Sequence, residues 1–284
     1  MTGHAPPGPT GPIDGPIDVG VGHALITLVS PRTGHERAYN RWYEDDHFWA
    51  GGLYCPWIFA GRRWTATREL TALRSPERTP VTDDVRDGSY LTTYWIAPGR
   101  LQETTDWLAG MNARLGEAGR IFAERDHVYT SFTDHAGTVY RDAAVPRDVF
   151  SLMDPAPGLV LGLVDAPSAE ARPGLERWLL DDHLPGSLAR MGHASSAMVF
   201  RTNPPDPRLR PDVLAGLARV AGNGGRLTVL WFLDEEPSAN WDGRFGGLGD
   251  ELAAGGGELT LLAPFIPSVM GTDTYADVIR PQGG

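Results

Sequence analysis

Two short stretches, RWYEDDH at 41–47 and RWLLDDH at 177–183, share five of seven letters and stand 136 residues apart. Pro31 and Pro167, and Trp95 and Trp231, differ by the same 136 residues. A self-match at constant offset is the signature of an internal duplication. The chain therefore reads as two copies of one unit.

Around each copy the order of elements is the same. Apolar, β-branched HALITLV (23–29) reads as a strand. The segment 35–49 has Tyr39, Trp42 and Tyr43 at helical spacing. Strands are predicted at 56–64, 89–97 and within 120–134, and a second helix at 100–119, with a long polar connection over 65–88. The second half repeats this with strands at 158–167, 193–201, 226–234 and 258–266 and helices at 171–191 and 239–257. Near the ends of the two halves GTVYRD (137–142) faces GTDTYAD (271–277). Each half is thus βαββαβ, a ferredoxin-like α+β unit with helices on one face of a four-stranded antiparallel sheet. One such unit leaves a sheet face bare, and two can press those faces together. The expected boundaries are a Pro/Gly-rich tail at 1–20, a first repeat at 21–142, a linker at 143–157 and a second repeat at 158–284.

The order of elements resembles the dimeric α+β barrel superfamily, and the first helix of each half resembles its EthD-like branch. That branch carries an aromatic residue, an acid and then His-x-Pro. Trp178, Asp182, His183 and Pro185 match throughout; Trp42, Asp46 and His47 match, with Trp49 in the proline's place. The resemblance implies an intramolecular version of the dimeric barrel and a small-molecule pocket between helices and sheet. It implies no single reaction, since the superfamily hosts cyclases, isomerases, dehydratases, cofactor-free monooxygenases and haem proteins.

Composition narrows the chemistry. All 25 basic residues are arginine, which removes Schiff-base, pyridoxal phosphate and P-loop lysine mechanisms. Cys55 is the single cysteine, so intrachain disulfides, iron–sulfur clusters and cysteine zinc sites are excluded, and a buried apolar role suits it better than a nucleophile's. A net charge of −11 argues against nucleic acid and anionic membrane as partners. No apolar run reaches spanning length, and the first residues lack the pattern of a secretory signal, so a cytoplasmic location is expected. GRFGGLGDEL (243–252) has no strand directly before it and does not read as a dinucleotide turn.

Continuing the helical stripe by seven places puts Asp46 and Asp182 on the packing face, with His47 and His183 at its edge. Three roles follow. The acids hold a loop or an arginine and the histidines sit at a helix end; or a histidine is a general acid or base at a pocket mouth; or, with least support, a histidine ligates metal or haem. Arg62 or Arg63, in the second strand, is expected to face inward and hold a carboxylate or enolate, or to pair with Asp46. His127, Tyr129 and Ser131 alternate along the fourth strand and are expected on one face, where the second half is apolar. If one half alone is catalytic it is therefore the first, with His183 and Asp182 as the second half's equivalents; Tyr43, Trp42, Tyr94, Trp95 and Trp231 are candidate ligand contacts, Trp95 and Trp231 reading more readily as core packing.

The expected activity is cofactor-free and metal-free proton transfer on an aromatic or polyketide-like molecule: cyclisation, dehydration or isomerisation. The alternatives are cofactor-independent oxygenation of a phenol, and a non-catalytic binder. The expected assembly is a monomer with an internal pseudo-dimer, with further homodimerisation left open.

Overall fold

In the computed structural model residues 20–153, 156–208, 214, 217, 219–220 and 222–279 are described. The tail expected at 1–20 lies, but for its last residue, outside them. In chain order the first half holds β1 (His23–Pro31), α1 (Glu36–Trp42), β2 (Ile58–Thr65), α2 (Arg68–Thr71), β3 (Tyr90–Ile96), α3 (Leu101–Glu117) and β4 (Arg125–Tyr140). The second holds β5 (Gly158–Asp165), α4 (Arg172–Trp178), α5 (Leu184–Met191), β6 (Ala194–Thr202), β7 (Arg226–Leu233), α6 (Trp241–Phe245), α7 (Leu248–Ala254) and β8 (Glu258–Pro267).

The strands close into one antiparallel barrel in the order β1-β3-β2-β8-β5-β7-β6-β4. Within each half this is the ferredoxin-like order, so the α+β class and the paired βαββαβ units are as the sequence predicts. The seams between halves are unequal. β4 pairs with β6 from Thr133 to Tyr140, whereas β2 meets β8 only at Trp64 and Thr65. The matched letters GTVYRD and GTDTYAD therefore diverge: the first continues β4, while the second forms turns. No helix among the described residues is long and apolar enough to cross a membrane.

The barrel interior is filled by Ile26, Leu28, Trp64, Leu91, Trp95, Phe200, Phe232 and Phe265, all buried. Side chains on the other sheet face meet the helices, in a separate apolar cluster for each half. Trp95 and Trp231 share the 136-residue offset but not a face. Trp95 lies inside the barrel, 6.1 Å from Phe200, and Trp231 lies under the helices, 5.9 Å from Phe245. A shift of one residue moves a strand side chain to the opposite face, and the offset drifts by one between helix and strands. The two tryptophans are thus not structural equivalents.

The first helix of each half changes its winding part-way. Tyr43–His47 and Leu179–His183 form π-turns, and a second π-turn spans Trp49–Leu53. An i→i+5 turn holds an extra residue and rotates everything after it. That rotation overturns the helical count that put Asp46 and Asp182 on the packing face. Glu44 takes the buried position at 5% exposure. Asp46 is turned toward Arg120, which donates through both Nε and Nη2, and Asp182 is exposed.

Arg63 accordingly pairs with Glu44 rather than Asp46. Its Nη1 stands 2.7 Å from Glu44 Oε1 and 2.7 Å from Asn40 Oδ1, and its guanidinium lies over the Tyr43 and Tyr90 rings at 4.6 and 4.7 Å. Glu44 Oε2 accepts from Arg41 at 2.6 Å and from the Gly271 amide at 2.7 Å. The expected enolate-holding arginine is therefore a girder that ties β2 to α1 and to the end of the second half. Arg62 points into the barrel, 4.6 Å over Trp64, where burial lowers its pKa. Removing one partner of a buried, hydrogen-bonded ion pair costs about 3–5 kcal/mol. Arg63→Met is expected to lower unfolding free energy by roughly that amount in urea titration; a loss under about 1 kcal/mol would show the pair to be energetically idle.

Candidate active site

A cavity of about 310 Å³ opens between α3 and the sheet of the first half. Its floor is Leu25 and Thr27 of β1, Tyr94 of β3, and His127, Thr130 and Phe132 of β4. α3 leaves room by presenting Ala109, Ala113 and Gly116, where a filled core would need large side chains. Pro205, Asp206 and Arg208 reach across from the second half. Arg208 is clasped to Asp206 (2.6 Å) and to Asp106 on α3, so both halves form the site.

His47 lines this cavity. Its ring stacks on Trp42 with centroids 4.4 Å apart and planes 19° from parallel, and it meets the Tyr43 ring edge-on at 5.4 Å. In an α-helix residues five apart point about 140° away from each other; the π-turn brings them onto one side. The second π-turn then passes so closely that a Cβ on Gly51 would stand 2.5 Å from the His47 ring. His47 Nδ1 is buried without a hydrogen bond, which leaves Nε2 as the nitrogen a ligand can reach. Burial is the main cause holding the pKa down to about 3, Arg125 adds to it, and Asp46 opposes it. His47 is thus neutral throughout the physiological range.

Tyr43 and Tyr94 join their hydroxyls at 3.0 Å beside it, and burial lifts the Tyr94 pKa far above its ordinary value. Trp42 backs the His47 ring from outside and is not part of the cavity wall. Trp95 and Trp231 do not line the cavity either.

The fourth strand departs from the expected alternation. Pairing with β1 slips between Leu28, opposite Tyr129, and Val29, opposite His127. This bulge turns Val128 and Tyr129 into the barrel together and leaves His127 facing the helices. Tyr129 is fully buried and bonded to Thr202 and Thr228 at 3.1 and 2.7 Å. It cannot meet a ligand in the cavity, and the one-face expectation for His127, Tyr129 and Ser131 fails at the bulge. Cys55 is a buried core residue whose thiol pKa is raised by burial.

The second half keeps the device and packs differently around it. His183 stacks on Trp178 at 4.8 Å and 21°, and its Nε2 is buried without a hydrogen bond. A Cβ on Gly162 would stand 2.6 Å from the Trp231 ring. In the first half Thr27 of β1 lines the open cavity. Among the described residues no group of three His, Cys, Asp or Glu side chains is placed to hold a metal ion.

No family model and no curated protein sequence matches the chain. Among solved structures, the encapsulated DyP-type peroxidase from Mycobacterium smegmatis is similar at 12% identity over 95% of this chain and 98% of that one, with a TM-score of 0.48. An anthrone oxidase-like protein is similar at 8% identity, covering 87% and 91%, with a TM-score of 0.46. A Rhodococcus jostii DypB variant in complex with heme is similar at 10% identity, covering 93% and 96%, with a TM-score of 0.47. The barrel assignment rests on the strand order above, and no chemistry is carried over from these proteins.

Sequence reasoning missed Arg125, Thr130, the clasp at Arg208 and the small-residue stripe of α3. The stripe was legible: Thr105, Ala109, Asn112, Ala113 and Gly116 follow helical spacing and are small or polar.

His47 also sets an acid limit on stability. Its folded pKa of about 3 lies below its ordinary 6.5, so between those values the unfolded chain binds a proton that the folded one refuses. Stability is expected to fall as pH drops below about 6.5, and to fall less in His47→Gln. Urea unfolding of both proteins at pH 7, 5.5 and 4 measures this. Parallel losses would show that His47 is not held neutral.

Proposed function

We propose that the first half of this chain is a cofactor-free enzyme acting on a small, planar hydroxyaromatic molecule. The observation that carries this is the placing of a neutral His47, with Nε2 open to an apolar cavity, near the guanidinium of Arg125. The reaction begins with transfer of a phenolic or enolic O–H proton to His47 Nε2. The resulting oxyanion is stabilised by Arg125 and lies between that guanidinium and the imidazolium, offsetting their repulsion in a cavity where weak screening strengthens the attraction.

The low basicity of His47 favours one kind of acid over another. A base that burial keeps neutral takes a proton more readily from the stronger of two acids, and carbon next to a carbonyl is in general the weaker one. A phenolic hydroxyl is far more acidic, and its anion restores to the buried imidazolium the countercharge that burial removed. This shifts the reading from abstraction at carbon toward ionisation at oxygen.

The second reading concerns the fate of the anion. Leu25, Leu108, Ala109, Ala113, Ile121 and Phe132 give the cavity an apolar wall, while the acids at its rim include Asp206, already engaged by Arg208. An electron-rich phenolate held there is suited to donate to dioxygen. Cyclisation or dehydration of the same anion would instead proceed equally well without oxygen.

The test is a panel of hydroxyaromatic compounds, followed by absorbance and with an oxygen electrode, under air and under argon. Turnover confined to air with matching oxygen uptake supports oxygenation; equal turnover under argon supports the lyase or isomerase reading. His47→Gln keeps most of the ring's bulk against Trp42 and is expected to lower turnover about a hundred- to ten-thousandfold. Binding without turnover by the wild type would leave the chain a carrier and sink the enzymatic reading.

A further inference from the structure

Arg125, His127 and Thr130 stand in a row along one wall of the cavity. Arg125 Nε lies 3.3 Å from His127 Nε2, and His127 Nδ1 lies 2.9 Å from Thr130 Oγ1. The directions of these hydrogen bonds are forced. An arginine Nε carries a hydrogen and no lone pair, so it only donates. His127 Nε2 must therefore be the ring's lone pair, and the one ring proton of the neutral imidazole sits on Nδ1. That N–H donates to Thr130 Oγ1. The threonine oxygen accepts, so its own proton is left to point elsewhere. Among the described residues the Thr130 hydroxyl has no other hydrogen bond.

The backbone explains why these three groups meet. The bulge in β4 buries Val128 and Tyr129 and puts His127 and Thr130 on the same face, three residues apart. Regular alternation would have placed them on opposite faces.

We infer that Thr130 is the specificity-determining donor of the cavity, offering its hydroxyl proton to a carbonyl or oxyanion oxygen of the ligand. His127 is a positioning residue that acts through it by fixing the direction of that proton, and Arg125, besides its place at the oxyanion, fixes the His127 tautomer. The inference rests on the hydroxyaromatic reading and narrows it. His47 takes the ionising hydroxyl, and Thr130 reads a second oxygen on the same molecule. The class so selected is hydroxyaryl carbonyl compounds, in preference to simple phenols. The line of donors also accounts for a histidine that the proton transfer at His47 does not need.

The experiment measures binding of two probes, 1-hydroxy-2-acetonaphthone and 1-naphthol, by their absorbance change on ionisation. The proteins are wild type, Thr130→Val, Thr130→Ser, His127→Phe and His47→Gln. Thr130→Val keeps the shape of the side chain and removes only the hydroxyl. It is expected to weaken binding of the hydroxyketone about tenfold and leave 1-naphthol unchanged, the loss of one hydrogen bond. Thr130→Ser is expected to restore the hydroxyketone, and His127→Phe to reproduce the valine variant. Equal weakening of both probes by Thr130→Val, or of neither, overturns the assignment of Thr130. The underlying reading fails separately: the ionisation of both bound probes would be the same in wild type and His47→Gln. A wild-type protein that binds neither probe overturns both.

Discussion

The stacking of a histidine on the tryptophan five residues before it governs much else in this molecule. Flat contact between side chains five apart requires a turn with i→i+5 hydrogen bonding. Both halves make that turn, at Tyr43–His47 and Leu179–His183. The consequences run outward from it. Glu44, four places after Asn40, faces inward at the start of the turn and meets Arg63 beside that asparagine. The turn sends Asp46 outward to Arg120. It also demands backbone without a side chain on one side of each stack: a Cβ on Gly51 would meet His47, and a Cβ on Gly255 would meet Trp178. The repeated letters in the two halves thus record first of all a repeated way of winding and bracing a helix.

The same device has different uses because of what faces it. In the first half α3 offers alanine and glycine, and a cavity remains beside the His47 ring. In the second half Trp231 lies over Gly162, and Trp241, Phe245, Leu248 and Leu252 close the helical layer. His183 therefore has the ring stacking of His47 in a half whose layer is packed by an indole and large apolar side chains. Both halves carry the frame, and what packs against it differs: a cavity lined by His47 in the first, an indole packed on Gly162 in the second.

The architecture was legible because it is written in coarse, repeated signals. Alternating apolar strands, helical stripes and a constant offset specify βαββαβ twice, and each strand lies close to where its composition puts it. The side-chain directions were less legible, for three local reasons. The π-turn breaks the 3.6-residue count at Asp46 and Asp182. The bulge breaks the two-residue count between His127 and Tyr129. A one-residue drift between halves sends Trp95 into the barrel and Trp231 to the helices. Each is an inserted or shifted residue, invisible to a pattern that assumes a fixed period, and two of the three fall where the cavity is built. Irregular winding is enriched at functional positions for this reason: it aims side chains where a regular element cannot.

The second half also does more than cover a bare sheet face. Gly271 donates its amide to Glu44, and Thr272 and Asp273 accept from Asn40 and Arg41. These contacts hold the helix that carries His47 from the side opposite its cavity. Arg208 and Asp206 close the cavity from the other direction onto Asp106. The narrow β2–β8 seam is compatible with this arrangement because the polar turns at 271–273 take over where strand pairing stops. A freely exchanging dimer of identical units would have to build two equal seams and two equal pockets. Fusion into one chain lets the seams differ, so the second half can spend side chains on fixing the helix and the cavity of the first.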